Sequence, residues 1–250
     1  MAAGNKEARL LVRDMILLII LIFFLSAFVQ SIIGFGSALI AMPLLVSMLG
    51  IRITAPLVAV TALLMEIVIL LRYREAFNFS VVKYLAIATF LGIPIGIYAV
   101  RYIDGEIVNK ILGIIIIGYA LYALFVPKLP DLASTVWAYI FGFIAGILGG
   151  AYNTSGPPYV IYGNARRWSP DEFKSNLQGL FLANGLIIVT VHALSGNING
   201  GVLRYTFYAV PGLVLGMVAG FYLANRINSQ LFRSFVLIAL LFLGASLLIL

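Results

Sequence analysis

The sequence predicts an all-α polytopic membrane protein, and three observations support this prediction. Hydrophobic residues make up 63% of the 250 positions and charged residues only 10%, and the mean hydropathy is +1.11. Apolar runs of membrane-spanning length recur along the whole chain, and in lipid such runs form helices because the backbone must satisfy its own hydrogen bonds. A similar interrupted run occurs once in each half, which predicts two pseudo-symmetric, inverted halves of four segments, with the first and fifth segments broken or folded as hairpins.

Charged or turn residues divide the apolar runs into eight segments. A helix of about 20 residues crosses the hydrocarbon core, so eight segments leave no length for a folded soluble domain. The predicted segments cover residues 14–49, 54–71, 82–100, 107–126, 135–164, 172–195, 203–224 and 229–250.

The first and fifth segments are too long for a single crossing. A helix over residues 14–49 would extend about 54 Å, whereas the hydrocarbon core is about 30 Å thick. If each long segment crosses once, the two halves are parallel repeats, and if each is a hairpin, the halves are inverted. The lengths favour hairpins.

Matching positions in the two halves support an internal repeat. Gly34 and Gly149 lie 115 positions apart, as do Pro43 and Pro158, and Gly92 and Gly96 precede Gly212 and Gly216 by 120 positions. The repeats then cover residues 1–128, the N-terminal transmembrane half, and 129–250, the C-terminal transmembrane half.

The distribution of basic residues bears on orientation, because cytoplasmic loops carry more Lys and Arg. With hairpins, nine of the 16 basic residues share one face and seven the other, which favours an external N-terminus. The nine are Arg72, Arg74, Lys83, Lys128, Arg166, Arg167, Lys174, Arg226 and Arg233.

The composition also excludes several classes of function. The net charge of +7 comes from basic residues in connecting segments, which is typical of contact with anionic lipid rather than nucleic acid. The chain has no cysteine, so disulfides and thiolate metal sites are excluded, and we expect neither a metal nor a cofactor. Arg9 and Arg13 precede the first apolar run, but no small-x-small cleavage site follows, so we expect no cleaved signal peptide.

Two motifs interrupt the apolar segments with Gly, Pro and small polar residues. They are GFGSALIAMP (Gly34–Pro43) and GGAYNTSGPP (Gly149–Pro158). A helix that restarts in the middle of the membrane presents free N–H groups and the positive end of its dipole, which favour an anion. We therefore predict a site for a small anionic solute formed by Gln30, Ser31, Gly34, Gly36, Ser37, Asn153, Thr154, Ser155, Gly156 and Asn184. The competing interpretation is structural, with glycines that permit close helix packing and hydroxyls that bond to their own helix.

Glu66 and His192 are candidates for ion coupling. Glu66 is an acidic residue well inside an apolar segment, where carboxylates are usually functional, although Arg72 lies close enough in sequence to pair with it. His192 is the one histidine of the chain and titrates near neutral pH when unperturbed, although its place near a segment end also suits a simple interfacial residue.

Two further clusters have structural as well as functional interpretations. Arg166, Arg167 and Trp168 are typical of an interfacial anchor or of a vestibule that attracts anions. Glycines with small-xxx-small spacing, such as Gly92 with Gly96 and Gly212 with Gly216, permit close helix packing, either inside the protein or in a homodimer.

The paired motifs GFGSALIAMPLL and GILGGAYNTSGPP, in a two-half protein of this size, resemble the TauE/SafE family of membrane transporters. The resemblance implies an integral protein of a bacterial or archaeal cell membrane. It further implies a secondary transporter or exporter of sulfite, sulfonates, sulfoacetate or related solutes. We expect the two broken motifs to meet at a midplane site that is exposed alternately to the two sides of the membrane. Ser37 and the run from Tyr152 to Ser155 depart from the family pattern, which leaves the substrate open.

Two other functions remain open from the residues alone. An anion channel is the principal alternative, because the same pseudo-symmetry supports a pore. An intramembrane enzyme using Ser155 with His192 is not expected, because no recognisable nucleophile motif surrounds Ser155.

Overall fold

The computed structural model describes residues 2–125, 132, 134–224, 226 and 228–249, and every regular element within them is helical. Lys128, which the sequence assigned to the more basic face, lies outside the described residues. A 3₁₀ turn, Arg74–Ala76, follows α3. The α-helices are α1 (Ala2–Ile33), α2 (Ser37–Leu49), α3 (Ile51–Tyr73), α4 (Phe79–Tyr102), α5 (Gly105–Phe125), α6 (Thr135–Tyr152), α7 (Gly156–Ala165), α8 (Pro170–Leu194), α9 (Gly200–Leu223) and α10 (Ser229–Ile249).

Six helical stretches are long and apolar enough to cross a membrane. They are Arg13–Ile33, Ile51–Ala76, Phe79–Val100, Thr135–Tyr152, Pro170–Leu194 and Gly200–Leu223. Large apolar side chains such as Phe90, Phe207 and Phe242 point outward and are more than half exposed, as expected where the surrounding medium is lipid. The prediction of an all-helical membrane protein is therefore confirmed.

Each of the two long predicted segments is a pair of helices separated by a three-residue break. Gly34 to Gly36 separate α1 from α2, and Asn153 to Ser155 separate α6 from α7. Gly34 and Gly36 have φ values of 92° and 109°, and Asn153 has 54°. Glycine and asparagine are the residues that most readily adopt positive φ, which explains why the helices end at these positions.

The helix boundaries correct the register that the sequence suggested. Ile33 and Tyr152 end α1 and α6, and they lie 119 positions apart, rather than 115. Gly149 is inside the last turn of α6 instead of in the break. Asn153 supplies the positive φ of the second break, whereas Gly34 and Gly36 supply that of the first.

Glycines lie at the close crossings of α4 with α6 and of α1 with α9. A Cβ atom on Gly92 or Gly96 would collide with backbone carbonyls of α6, and one on Gly212 or Gly216 with backbone carbonyls of α1. The small-xxx-small faces therefore lie in crossings inside the protein, one of the two locations that the sequence left open.

The contacts also fix the directions of the helices. α1 runs parallel to α9, because Gly212 meets Ile20 and Gly220 meets Phe28, and α6 likewise runs parallel to α4. α3 runs antiparallel to α8. We call the end of the bundle where α3 begins and α8 ends the Arg52 end, and the opposite end the Arg72 end.

Both broken segments are hairpins that return to the end from which they started. α9 follows the end of α8 after a short segment, so α9 and the parallel α1 both start at the Arg52 end. α2 returns to that end, because Gly50 alone separates α2 from α3. α6 starts at the Arg72 end, and α7 returns there because only four residues connect it to α8. The two hairpins thus enter the bundle from opposite ends, which brings their breaks together inside it.

The α4–α6 crossing gives a test of this packing. Gly96→Ala should lower the unfolding free energy by about 1–3 kcal/mol, because the added methyl group has no room against the α6 backbone. Gly118→Ala is the control. Nothing lies within 4 Å of the Cβ position at Gly118, so higher helix propensity should leave the stability unchanged or raised by up to about 1 kcal/mol. Thermal unfolding in detergent measures both, and equal melting temperatures for the two variants would contradict the crossing.

Candidate functional site

The two helix breaks lie side by side in the interior of the bundle. An added Cβ atom on Gly156 would lie 3.8 Å from the Phe35 ring and 3.7 Å from the Phe181 ring. Phe35 belongs to the first break, and Gly156 begins the helix after the second. Residues more than 100 positions apart in sequence therefore form one site.

A cavity of about 40 Å³ lies between the breaks. This volume holds about three water molecules or one small ion. The cavity, called the central cavity below, is lined by both breaks and by the middle turns of α3 and α8. Its lining residues are Gln30, Gly36, Ser37, Ala38, Leu39, Ala59, Ala62, Glu66, Asn153, Thr154, Ser155, Gly156, Phe181, Asn184, Gly185 and Ile188.

Side-chain amides satisfy the backbone of the first break. The Ser37 N–H donates to Gln30 Oε1 at 3.2 Å, and Gln178 Nε2 donates to the Gly34 carbonyl at 2.6 Å. Gln178 belongs to α8, so the second half of the chain supplies a partner that the first half lacks. Without such partners, polar backbone groups of the break would be unpaired inside the membrane, which would destabilise the protein.

The second break is satisfied in a similar way. The Asn153 N–H donates to the Gly149 carbonyl at 2.8 Å, and the Thr154 N–H donates to the Leu148 carbonyl at 3.3 Å. The Asn153 side chain donates from Nδ2 to the Ala55 carbonyl of α3 at 2.8 Å. Each break therefore forms one hydrogen bond, through a side-chain amide, with a helix of the opposite half.

Three polar side-chain atoms at the central cavity lack a partner within the described part of the chain. They are Thr154 Oγ1, Asn184 Oδ1 and Glu66 Oε2. All three residues are buried, with Thr154 only 1% and Asn184 only 3% exposed. Buried polar atoms are normally hydrogen-bonded, so unpaired ones beside a cavity indicate a place for a bound solute or water.

Glu66 does not pair with Arg72. Among the residues described, one salt bridge is formed, between Lys110 and Glu106, and the Arg72 guanidinium lies 4.7 Å from the centre of the Phe221 ring. The Glu66 carboxyl instead lies against Gly185, where an added Cβ atom would come within 2.8 Å of Oε2. The pairing that the sequence left open is therefore absent, and the carboxyl faces the central cavity.

Most of the predicted site residues line the central cavity. Those that do are Gln30, Gly36, Ser37, Asn153, Thr154, Ser155, Gly156 and Asn184, together with the coupling candidate Glu66. Gly34 lies just outside and contributes its carbonyl to the bond with Gln178. Ser31 is buried against Gly220 of α9. His192 lines a different cavity, at the Arg52 end.

Two amides that were not among the predicted site residues shape the site by bridging helices. Gln178 anchors the first break, and Asn176 Oδ1 accepts from the Asn78 N–H at 3.0 Å, just before α4. Both are fully buried. The signal was present, because Asn176, Gln178 and Asn184 form a polar run in an otherwise apolar segment, but their partners lie far away in sequence.

The arrangement suits an anion. Both α2 and α7 begin at the central cavity, so the positive ends of two helix dipoles point into it. Thr154 and Ser155 add hydroxyl groups that can donate. Within the described ranges, no group of three or more His, Cys, Asp or Glu residues is placed to hold a metal ion.

The chain is similar in sequence to known proteins. The family described as "Sulfite exporter TauE/SafE" matches residues 19–247 of the chain. A curated protein of Cupriavidus necator, named "Probable sulfite/organosulfonate exporter TauE", is 23% identical over 202 residues, which cover 78% of each chain. No solved structure gives a significant match.

The role of Gln178 as a hydrogen-bond donor to the first break can be tested by mutation. Gln178→Leu should destabilise the protein by about 1–3 kcal/mol, because the buried Gly34 carbonyl loses its donor. Hydrogen exchange should also increase in the peptide that contains the break. Ser47→Ala is the control, because the Ser47 hydroxyl bonds only to carbonyls of its own helix. A Gln178→Leu variant with native stability and native exchange at the break would contradict this role.

Proposed function

Because the chain belongs to the sulfite exporter TauE/SafE family, we propose that it exports small sulfur oxyanions, sulfite or organosulfonates, as a secondary transporter of a bacterial membrane. The observation that carries the proposal is the central cavity, where two helix N-termini and the unpaired Thr154 hydroxyl converge. The relative in Cupriavidus necator, by its name a probable sulfite/organosulfonate exporter, supports the same substrate class.

The central cavity supplies hydrogen-bond donors in place of those that a sulfur oxyanion loses when it leaves water. Its oxygens need donors from several directions, and the first turn of α2 faces Thr154 and Ser155 across the cavity. Phe181 and Leu39 add apolar wall on which the carbon atoms of an organosulfonate can rest. A volume of about 40 Å³ favours sulfite and the smallest sulfonates, and sulfoacetate requires the walls to move apart.

Transport by alternating access is supported by packed residues on both sides of the central cavity, which narrow the path to either end. Toward the Arg52 end, the buried side chains of Ala59, Ile93 and Ile188 form a small apolar cluster, and Asn153 bonds to Ala55 nearby. Toward the Arg72 end, Gln178 bonds to Gly34 and the Phe77 ring packs against Gly179. A channel needs a continuous open path, and this narrowing gives the channel alternative no support.

The halves 1–128 and 129–250 are proposed to be inverted repeats. Their hairpins enter from opposite ends, and their breaks lie 119 positions apart. Such pairs provide two related conformations, each open to one side of the membrane. The Arg72 end is proposed to be cytoplasmic, because Arg72, Lys83 and Lys174 are among the many basic residues located there.

Glu66 is proposed to carry the coupling proton. Its carboxyl faces the same small cavity as the anion, so an ionised Glu66 would repel the solute through a poorly screened medium. Within the described structure, Asn184 and the hydroxyls around it offer no compensating charge. The anion and the proton should therefore occupy the cavity together.

The binding role of Thr154 predicts a specific loss of transport. Thr154→Val keeps the shape of the side chain and removes the hydroxyl, which should weaken sulfite binding about tenfold to a hundredfold. Thr154→Ser should restore most of the affinity. Thr190→Val is the matched control, because the Thr190 hydroxyl bonds to its own helix. Concentration-dependent sulfite flux into proteoliposomes provides the measurement, and equal flux constants for the two valine variants would remove Thr154 from the site.

The coupling role of Glu66 predicts a separation of proton movement from anion movement. Glu66→Gln should abolish proton movement during sulfite transport and keep exchange of labelled sulfite across the membrane, because glutamine neither takes up nor releases a proton. The exposed Glu106→Gln is the control and should behave as the native protein. A pH-sensitive dye inside proteoliposomes follows the protons, and unchanged proton movement in Glu66→Gln would disprove the assignment.

A further inference from the structure

A second cavity, with a volume of about 380 Å³, lies at the Arg52 end. It is called the vestibule below. Its polar side chains are Arg52 at the start of α3, His192 in the last turn of α8, and Ser195 and Asn197 in the segment that follows. The vestibule is much larger than the central cavity.

The vestibule is close to the central cavity and in line with it. Ala55 lines the vestibule and Ala59, one turn further along α3, lines the central cavity. In the same way, His192 of the vestibule lies one turn after Ile188 of the central cavity. The cluster of Ala59, Ile93 and Ile188 and the bond from Asn153 to Ala55 lie near the boundary between the two spaces.

Arg52 makes the vestibule suitable for an anion. It is exposed, and it forms no salt bridge with any acidic residue in the part of the chain that the structure describes. A guanidinium group presents a planar fork of donors that matches two oxygens of an oxyanion. The vestibule thus has a cationic group that is not paired with an acidic side chain of the described residues.

His192 adds a second donor. Its Nδ1 atom lies 3.0 Å from Asn197 Nδ2, and an amide nitrogen can only donate, so Nδ1 accepts and the ring proton belongs on Nε2. The Nε2 atom has no hydrogen-bond partner among the described residues, although His192 is only 6% exposed. A buried N–H group needs a hydrogen-bond acceptor, and on the wall of a cavity a ligand or a water molecule can be that acceptor.

We propose that the vestibule is a second oxyanion site, in which Arg52 and the Nε2–H of His192 hold a sulfite or sulfonate group on its way between the central cavity and the outside. This inference rests on the proposed function for the identity of the anion. Because the Arg72 end is proposed to be cytoplasmic, the vestibule faces the outside, and during export its anion is the one that has just left the central cavity. A cationic site of this kind receives the anion as it leaves the gate.

Equilibrium binding of radiolabelled sulfite to the purified full-length protein tests the proposal. The native protein should bind two anions per chain. Arg52→Gln should weaken one of them by about tenfold or more and leave the other, whereas Thr154→Val should weaken the other one. His192→Ala should act like Arg52→Gln, and His192→Gln, which keeps an N–H donor near the position of Nε2, should recover part of the loss.

Arg204→Gln is the matched control for charge. Arg204 lies at the same end, near the start of α9, is exposed and does not line the vestibule. If Arg204→Gln and Arg52→Gln weaken sulfite binding equally, the effect is general electrostatic attraction and the proposal is wrong. Binding of a single anion per native chain would also overturn it.

The same experiments separate this proposal from the proposed function. Flux of sulfite in proteoliposomes together with only one bound anion would reject the vestibule site and keep the transporter. Absence of sulfite flux, with binding that depends on Arg52 and His192, would reject the sulfite exporter and keep the vestibule as an oxyanion site. Arg52→Gln should raise the sulfite concentration for half-maximal flux and leave the saturating flux near the native value, since the central cavity is intact.

Discussion

Satisfaction of the backbone at two helix breaks is the constraint on which this structure depends. Lipid offers no partner for an N–H or C=O group, so each break is tolerated only where protein supplies one. The first break receives a donor from the opposite half, because Gln178 of α8 donates to the Gly34 carbonyl, and the Asn153 side chain of the second break donates to the Ala55 carbonyl of α3. These bonds therefore tie each break to a helix of the opposite half, and the central cavity is the space that remains between the breaks.

The close glycine crossings connect the two halves of the chain in the rest of the bundle. α1 packs on α9 and α4 packs on α6, and each pair joins a helix of the first half to a helix of the second. Backbone contact at Gly96 or Gly216 leaves little freedom for sliding. We therefore expect these pairs to move as units during transport, so that the moving bodies differ from the two sequence halves.

The sequence was sufficient to predict features that depend on local composition. Gly34, Gly36 and Asn153 break helices because of their own backbone preferences, and the apolar runs around them identify membrane helices. Features that depend on distant partners were not predictable. The bond from Gln178 to Gly34 joins residues 144 positions apart, and the vestibule collects Arg52 and His192 from helices whose packing no local pattern encodes. The spacing of the two breaks also differs from that of the matched glycines, since Gly34 and Gly36 supply the positive φ of the first break and Asn153 that of the second.

The chemical difference between the halves is concentrated where they meet. Glu66 of α3 and Asn184 of α8 both line the central cavity, and each side chain lies against a glycine, Gly185 for the carboxyl and Gly149 for the amide. Two carboxyls in these positions would repel an anion from the small space between them, and two amides would have no proton to exchange. One of each permits a site that accepts a negative solute and still contains a group able to carry a proton. In the proposed inverted repeat, the two side chains come from one helix of each half, and the group that can carry a negative charge lies on the α3 side of the cavity only.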